Sequence, residues 1–256
     1  IKGKLMKNNY KYLGIITVFL TFGIWFTITG DGLALVRKFI FPSPRQVFQA
    51  FISISDIIPL DIVYTLTRLF VGFFLGAILG VTIGLMMSYS KIVDAILDPI
   101  VESIRPVPVI AMIPFLIMWF GIGEAGKIFL ITLGVFAIIV VSTLEAVKNV
   151  PKIYVRAAKT LGASNNQIFR TIIIPGMIPG IIGPLRVATA LSFTLVVAAE
   201  FMGAQQGIGY RIMEARRLFY TDVILLNVVL ITILAAIADR SVRALTDYLT
   251  RWSERK

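Results

Sequence analysis

Six stretches without a single charged side chain, at residues 12–30, 69–90, 106–123, 128–144, 187–199 and 223–238, constrain this chain more than any other feature. A helix that crosses the hydrocarbon of a bilayer needs about 20 mostly apolar residues, within a range of about 17–25. Four of the six runs meet or approach that length unaided. The last two lengthen into apolar flanks, over 179–185 and out to residue 245. Hydrophobic residues make up 57% of the 256 and charged residues 15%, whereas a soluble domain carries about 45–50% and about 25%. A backbone in lipid must satisfy its own polar groups, and helices do so within one segment. The expectation is an all-α, polytopic membrane protein with about six transmembrane helices, forming one domain over 1–256.

The chain has no cysteine and no histidine. Disulfides, thiol nucleophiles, thiolate or imidazole metal ligation and histidine acid–base chemistry are therefore excluded. A net charge of +11 raises nucleic acid as a partner, but no basic-aromatic motif accompanies it. Basic residues on cytoplasmic loops account for the charge better. With the N-terminus inside, the cytoplasmic segments 1–11, 89–98, 145–175 and 239–256 hold 15 Lys and Arg. The outer segments 30–59, 120–127 and 203–221 hold 7. Both termini are thus expected in the cytoplasm. The first apolar run follows a basic stretch but lacks a small-x-small cleavage site, so it reads as a retained span rather than a signal peptide. The chain opens on Ile1 rather than methionine, and a few residues are expected upstream.

One polar segment interrupts the lipid-compatible sequence between the fourth and fifth runs. In "PKIYVRAAKTLGASNNQIFRTIIIPG", Pro151 suits the first turn of a helix. Ile153, Ala157, Ala158 and Leu161 then share one face, and Gly162 is a left-handed stop. Ser164 caps a second short helix that Pro175 closes. The result is a knob over 150–175 that projects into the cytoplasm. Elsewhere Gly72, Gly76, Gly80 and Gly84 recur every fourth residue of the second run. That spacing makes a groove along one helix face for close packing of another helix. Pro106, Pro108 and Pro114 break the third run, and Pro175, Pro179 and Pro184 punctuate the approach to the fifth. Prolines in spans are tolerated where protein or a water-filled path surrounds them. Runs three and five are candidates for a pathway lining or for kinked packing helices.

The knob resembles the ATPase-docking loop of permease subunits in binding-protein-dependent ABC importers. That family's pattern is Glu-Ala-Ala, three residues, Gly, nine residues, Ile-x-Leu-Pro. Ala157, Ala158, Gly162, Ile172 and Pro175 match it, while Arg156 replaces the glutamate and Ile174 the leucine. The segments "FPSPRQVFQAF", "TLTRLFVGFFLGAILGVTIGLMM" and "AAEFMGAQQGIGYRIMEARRLFYTD" are similar to the branch for sulfonate, taurine, nitrate and bicarbonate uptake. The resemblance implies a type I importer permease architecture in a bacterial inner membrane. It also implies a second permease copy in a homodimer, two ATPase subunits that carry ATP and Mg, and an external solute-binding protein. No GxxxxGK[ST] loop is present, so this chain is expected to hold no cofactor and to be no enzyme. Its expected role is to form the translocation pathway for a small anion, with sulfonate or taurine leading and nitrate or bicarbonate following.

Three ionisable residues lie within or at the ends of spans: Arg68, Arg186 and Glu200. An arginine at a helix centre costs about 2.5–3.5 kcal/mol on insertion scales, so it faces protein, water or a partner. Arg68 or Arg186 could attract an anionic cargo, with Glu200 near the outer mouth; alternatively they pair structurally or snorkel. Arg105 marks the expected cytoplasmic start of span three. Arg211, Arg216 and Arg217 offer either contacts to a binding protein or solvated loop charge. A gradient-driven secondary transporter is the alternative. It calls for coupling groups in the spans and an inverted repeat, and only Glu200 is a plausible coupling group. An intramembrane enzyme would need a Ser/Lys or paired-Asp site, which the spans lack.

Overall fold

The computed structural model describes residues 16–17, 19–29 and 41–249, and all regular structure among them is helical. Contacts divide these residues into two compact units. The smaller takes the described residues up to Pro59 together with Arg211–Leu230. Its helix α1 (Phe19–Thr29) is apolar, and the rest of the expected first span, 12–30, lies largely outside the described residues. The Trp25 indole donates to the Pro42 carbonyl at 3.0 Å and stacks edge-on with Phe41. Helix α2 (Pro44–Ser53) then starts on a Ser43/Gln46 capping box, which satisfies two of its orphan donors.

The larger unit holds Leu60–Tyr210 and the chain from Ile231 onward. Its helices are α3 (Ile58–Tyr89), α4 (Lys91–Ile104), α5 (Ile113–Phe120), α6 (Glu124–Lys148), α7 (Lys152–Thr160), α8 (Asn165–Ile168) and α9 (Ile174–Glu200). Helix α10 (Ile208–Arg217) begins in it, and α11 (Thr221–Leu249) ends in it. Among the described residues four helices are long and apolar enough to cross a membrane: α3, α6, α11 and the continuous helix Asn165–Glu200.

The third apolar run is interrupted at its start, where its prolines were expected to break it. Helix α4 stops at Ile104, a 3₁₀ turn runs over Val109–Met112, and α5 follows. The two parts meet at 89° and count as a fifth span only if taken together. Pro106 and Pro108 cause the break, since each lacks the N–H that a continuing helix would need. One expectation needs correction: Pro175 does not close a separate second helix. The chain stays helical from Asn165 to Glu200 because Phe169–Ile173 widens into a π turn just before the proline. The wider turn makes room for a ring that clashes with the carbonyl four residues back.

The core is a seam between α3, α6 and α9. Leu69, Ile131, Val135, Ile139, Ala188, Leu195 and Val196 are all buried in it. Gly72, Gly76, Gly80 and Gly84 all face α6. A Cβ on Gly72 would stand 2.7 Å from that of Ile131, on Gly80 2.9 Å from that of Ile139, and on Gly84 2.7 Å from that of Thr143. On Gly76 it would stand 2.6 Å from the Thr132 carbonyl oxygen. Side chains at these four positions would force the two helices apart, so the four-residue glycine period sets the interhelical distance.

Candidate functional site

At the end of the seam where α6 begins and α9 ends, buried Arg68 and Glu200 meet the half-exposed carboxylate of Glu124. Arg68 on α3 is 3% exposed and Glu200, the last residue of α9, 1%. The Arg68 guanidinium grips Glu124 with two bonds, Nε to Oε2 at 2.6 Å and Nη2 to Oε1 at 2.8 Å. Its Nη1 donates to Glu200 Oε1 at 2.8 Å and to the Gln206 carbonyl at 2.7 Å. Such bidentate, charge-assisted bonds are among the strongest a side chain makes. Thr65 donates its hydroxyl to Glu200 Oε1 at 2.8 Å and accepts the Ile208 N–H at 2.9 Å. Glu200 Oε2 accepts the Gly209 N–H at 2.6 Å, and Asp61 accepts the Gly207 N–H at 2.8 Å. Lys127, also buried, donates to Glu124 at 3.1 Å.

The loop after α9 is shaped to fit over these groups. Gly207 has φ +124, and a Cβ there would collide with the Glu200 carboxylate and the Arg68 guanidinium. Glycine alone satisfies both the backbone conformation and the space. Among the described residues no buried side-chain nitrogen or oxygen lacks a hydrogen-bond partner. The cluster is therefore a saturated clamp that ties α3, α6, α9 and the start of α10. Arg68 and Glu200 are brought together in it. Glu124, Thr65, Asp61, Lys127 and the backbone of 206–209 are partners that sequence reasoning missed. The only hint was the glycine pair in "GIG" next to an in-span carboxylate. Beside the clamp lies a recess of about 480 Å³, lined by Tyr64, Gly123, Lys127, Gln205 and Gln206 among others.

Arg186 lies elsewhere. It pairs with Asp239 of α11, Nη2 to Oδ1 at 2.9 Å, and the two side chains stay 34% and 42% exposed. Arg243 approaches the same carboxylate at 3.8 Å. Arg186 lies 14 residues before Glu200, about 21 Å along the helix at 1.5 Å per residue.

The knob occupies the opposite end of α6 and α9. Helix α7 ends in a Schellman motif: the Ala163 N–H donates to the Ala158 carbonyl at 3.0 Å and the Gly162 N–H to the Lys159 carbonyl at 3.0 Å. Gly162 has φ +81, the left-handed conformation this stop requires. A Ser164/Gln167 capping box starts α8 at once. Arg156 and Ala157 are exposed and Ala158 half-buried, so they form part of an outward face. Ile153, Tyr154 and Leu161 are exposed as well, Leu161 to 87%. Ile172 packs at the base of the knob against the cluster of Ala146, Val150 and Met177, and Pro175 is the second residue of α9 beside it. Among the described residues no group of three or more acidic side chains could hold a metal.

A sequence profile described as "binding-protein-dependent transport system inner membrane component" matches residues 72–255. The chain belongs to that permease family. The permease is 36% identical over 247 residues to the taurine transport system permease protein TauC of Escherichia coli K12, covering 94% of this chain and 88% of the relative. It is 35% identical over 232 residues to the putative aliphatic sulfonates transport permease protein SsuC of the same organism, covering 90% and 88%. Its fold matches that of a chain in inward-facing conformations of the MetNI methionine ABC transporter. The TM-score is 0.63 at 24% identity, over 79% of this chain and 99% of that one. The permease is thus the membrane-spanning subunit of an ABC-type importer, of the sulfonate and taurine branch, with the type I fold.

Proposed function

We propose that this permease forms the translocation pathway for a small sulfonate-type anion, with taurine or an alkanesulfonate as cargo. Nitrate and bicarbonate are weaker candidates. It works as two copies, with two ATPase subunits docked on the cytoplasmic knobs and a solute-binding protein delivering cargo on the other side. Both termini then face the cytoplasm. ATP and Mg belong to the ATPases. The observation that carries this reading is α7: a short exposed helix with apolar Ile153, Tyr154, Ala157 and Leu161 facing out, fixed by a glycine stop at the end of two spanning helices. An exposed apolar face rimmed by polar residues marks a protein contact. Here it stands where a push reaches α6 and α9 directly. Arg156, in place of the family's glutamate, is exposed and makes no ion pair among the described residues, so it is available to an acidic side chain of the ATPase.

The half-exposed pair of Arg186 and Asp239 supports a water-lined path along α9. Two charges on spanning helices are stable only beside water, protein or each other. The guanidinium keeps a face free for an anion, whereas the donors of Arg68 are taken up by the clamp.

The test is uptake of labelled taurine by proteoliposomes that hold the permease with its ATPase and binding protein, with ATP sealed at the ATPase side. Accumulation that depends on ATP, and competition by alkanesulfonates ahead of nitrate, are expected. Gly162→Pro and Ala158→Glu should abolish ATPase assembly while membrane insertion stays normal. Uptake that ignores ATP and follows an imposed proton gradient would instead establish the secondary transporter.

A further inference from the structure

Between the last turns of α3 and the π turn that joins the knob to α9 lies a recess of about 420 Å³, lined by Leu85, Met86, Tyr89, Asn166, Phe169 and Arg170 among others. Its floor is apolar, with Tyr89 and Phe169 packed edge to face at 4.9 Å. Its rim is polar. Arg170 is exposed, and among the described residues it makes no ion pair or hydrogen bond through its side chain; the same holds for the Tyr89 hydroxyl and the Asn166 amide. Below the rim, α3 presents an exposed apolar stripe through Val71, Leu75, Ile78, Leu79 and Met86, on the side away from the glycine seam.

Depth decides what fits. Arg68 and Lys91 bracket the uncharged run 69–90, and from Arg68 to Tyr89 the helix rises about 31 Å, the thickness of the hydrocarbon layer. Tyr89 and Arg170 therefore stand at the membrane–water boundary on the knob side, where aromatic and basic side chains meet lipid headgroups. An occupant must offer a negative charge to the rim and hydrocarbon to the stripe. We propose that the recess binds one anionic phospholipid, its phosphate on Arg170 with Tyr89 and Asn166, and its acyl chain along α3. Binding needs no ATPase. Its consequence, that the lipid braces the joint through which the knob moves α9, rests on the docking reading above.

The test is native mass spectrometry of the full chain, delipidated in detergent and titrated with phosphatidylglycerol or phosphatidylcholine. One tightly held phosphatidylglycerol per chain is expected, favoured about fivefold over phosphatidylcholine, since one basic side chain near an anionic surface is worth about 1 kcal/mol. Arg170→Gln should erase the preference, Arg170→Lys should keep most of it, and Arg216→Gln should leave it unchanged. Equal retention of the two lipids, or a preference that survives Arg170→Gln, would overturn the proposal. So would competition by glycerol phosphate at equal concentration, which would mean that the acyl stripe contributes nothing. Because the chain has no cysteine, Met86→Cys gives a single-thiol probe. Its disulfide cross-linking to a second copy in membranes would show the stripe covered by protein, and the lipid reading would fall.

Discussion

Arg68 and Arg186 are both arginines within or beside spans, and their surroundings differ. Arg68 is enclosed, with four bonds to two carboxylates and one carbonyl. Removing one partner of a buried ion pair costs about 3–5 kcal/mol, because the other charges are left stranded. Arg68→Met should lower stability by that amount in an SDS titration of the purified chain. Arg186 keeps a third of its side chain open, and exposed pairs contribute about 0–1 kcal/mol. Arg186→Gln should therefore change the unfolding midpoint little while cutting anion uptake at least severalfold. If the two variants lose stability equally, the distinction between clamp and path is wrong.

Among the elements, the α3–α6 seam is the part most directly legible in the sequence. Four glycines in register announce a close helix contact. A Cβ on Gly76 would lie 2.6 Å from the Thr132 carbonyl oxygen, a backbone atom that cannot rotate aside. Overpacking costs about 1–3 kcal/mol, more than the fraction of a kcal/mol by which valine's helix propensity exceeds glycine's. Gly76→Val should thus destabilise the chain in the same titration, whereas Gly183→Ala, with nothing within 4 Å, should be neutral or stabilising. The knob was legible too, because caps and stops are local: Gly162, Ser164 and Gln167 act within a few residues of one another. The clamp was not. Its central bonds join residues separated by 56 and 132 positions, and no local pattern declares such pairings. The π turn was equally hidden, since Pro175 reads as a terminator until the widened turn before it is seen.

For the molecule as a whole, the uncharged runs foretold helices that cross a membrane. The prolines announced a break at the third, but not that α4 and the helix after it would meet at 89°, because hydropathy is blind to the direction of a chain. Sidedness is the open test at this scale. The knob and the clamp lie at opposite ends of α6 and α9, so they should lie on opposite faces of the bilayer. In the absence of natural cysteines, Leu161→Cys should react with an impermeant maleimide only in inverted vesicles, and Gln205→Cys only in right-side-out ones. Labelling of both from one side would contradict a spanning arrangement.

The clamp also sets how a small displacement is scaled. It fixes α3, α6 and α9 together at one end, and no comparable knot of charges joins them near the knob among the described residues. Were α9 to swing as a rigid rod about that end, its arm from Glu200 to Pro175 would be about 37 Å at 1.5 Å per residue. A tilt of about 10° would then sweep the knob through about 6 Å on that rise. Conversely, a stroke of several ångströms at the knob would turn the far end by only a few degrees and move Arg186, just over halfway along the arm, by a little more than half the stroke.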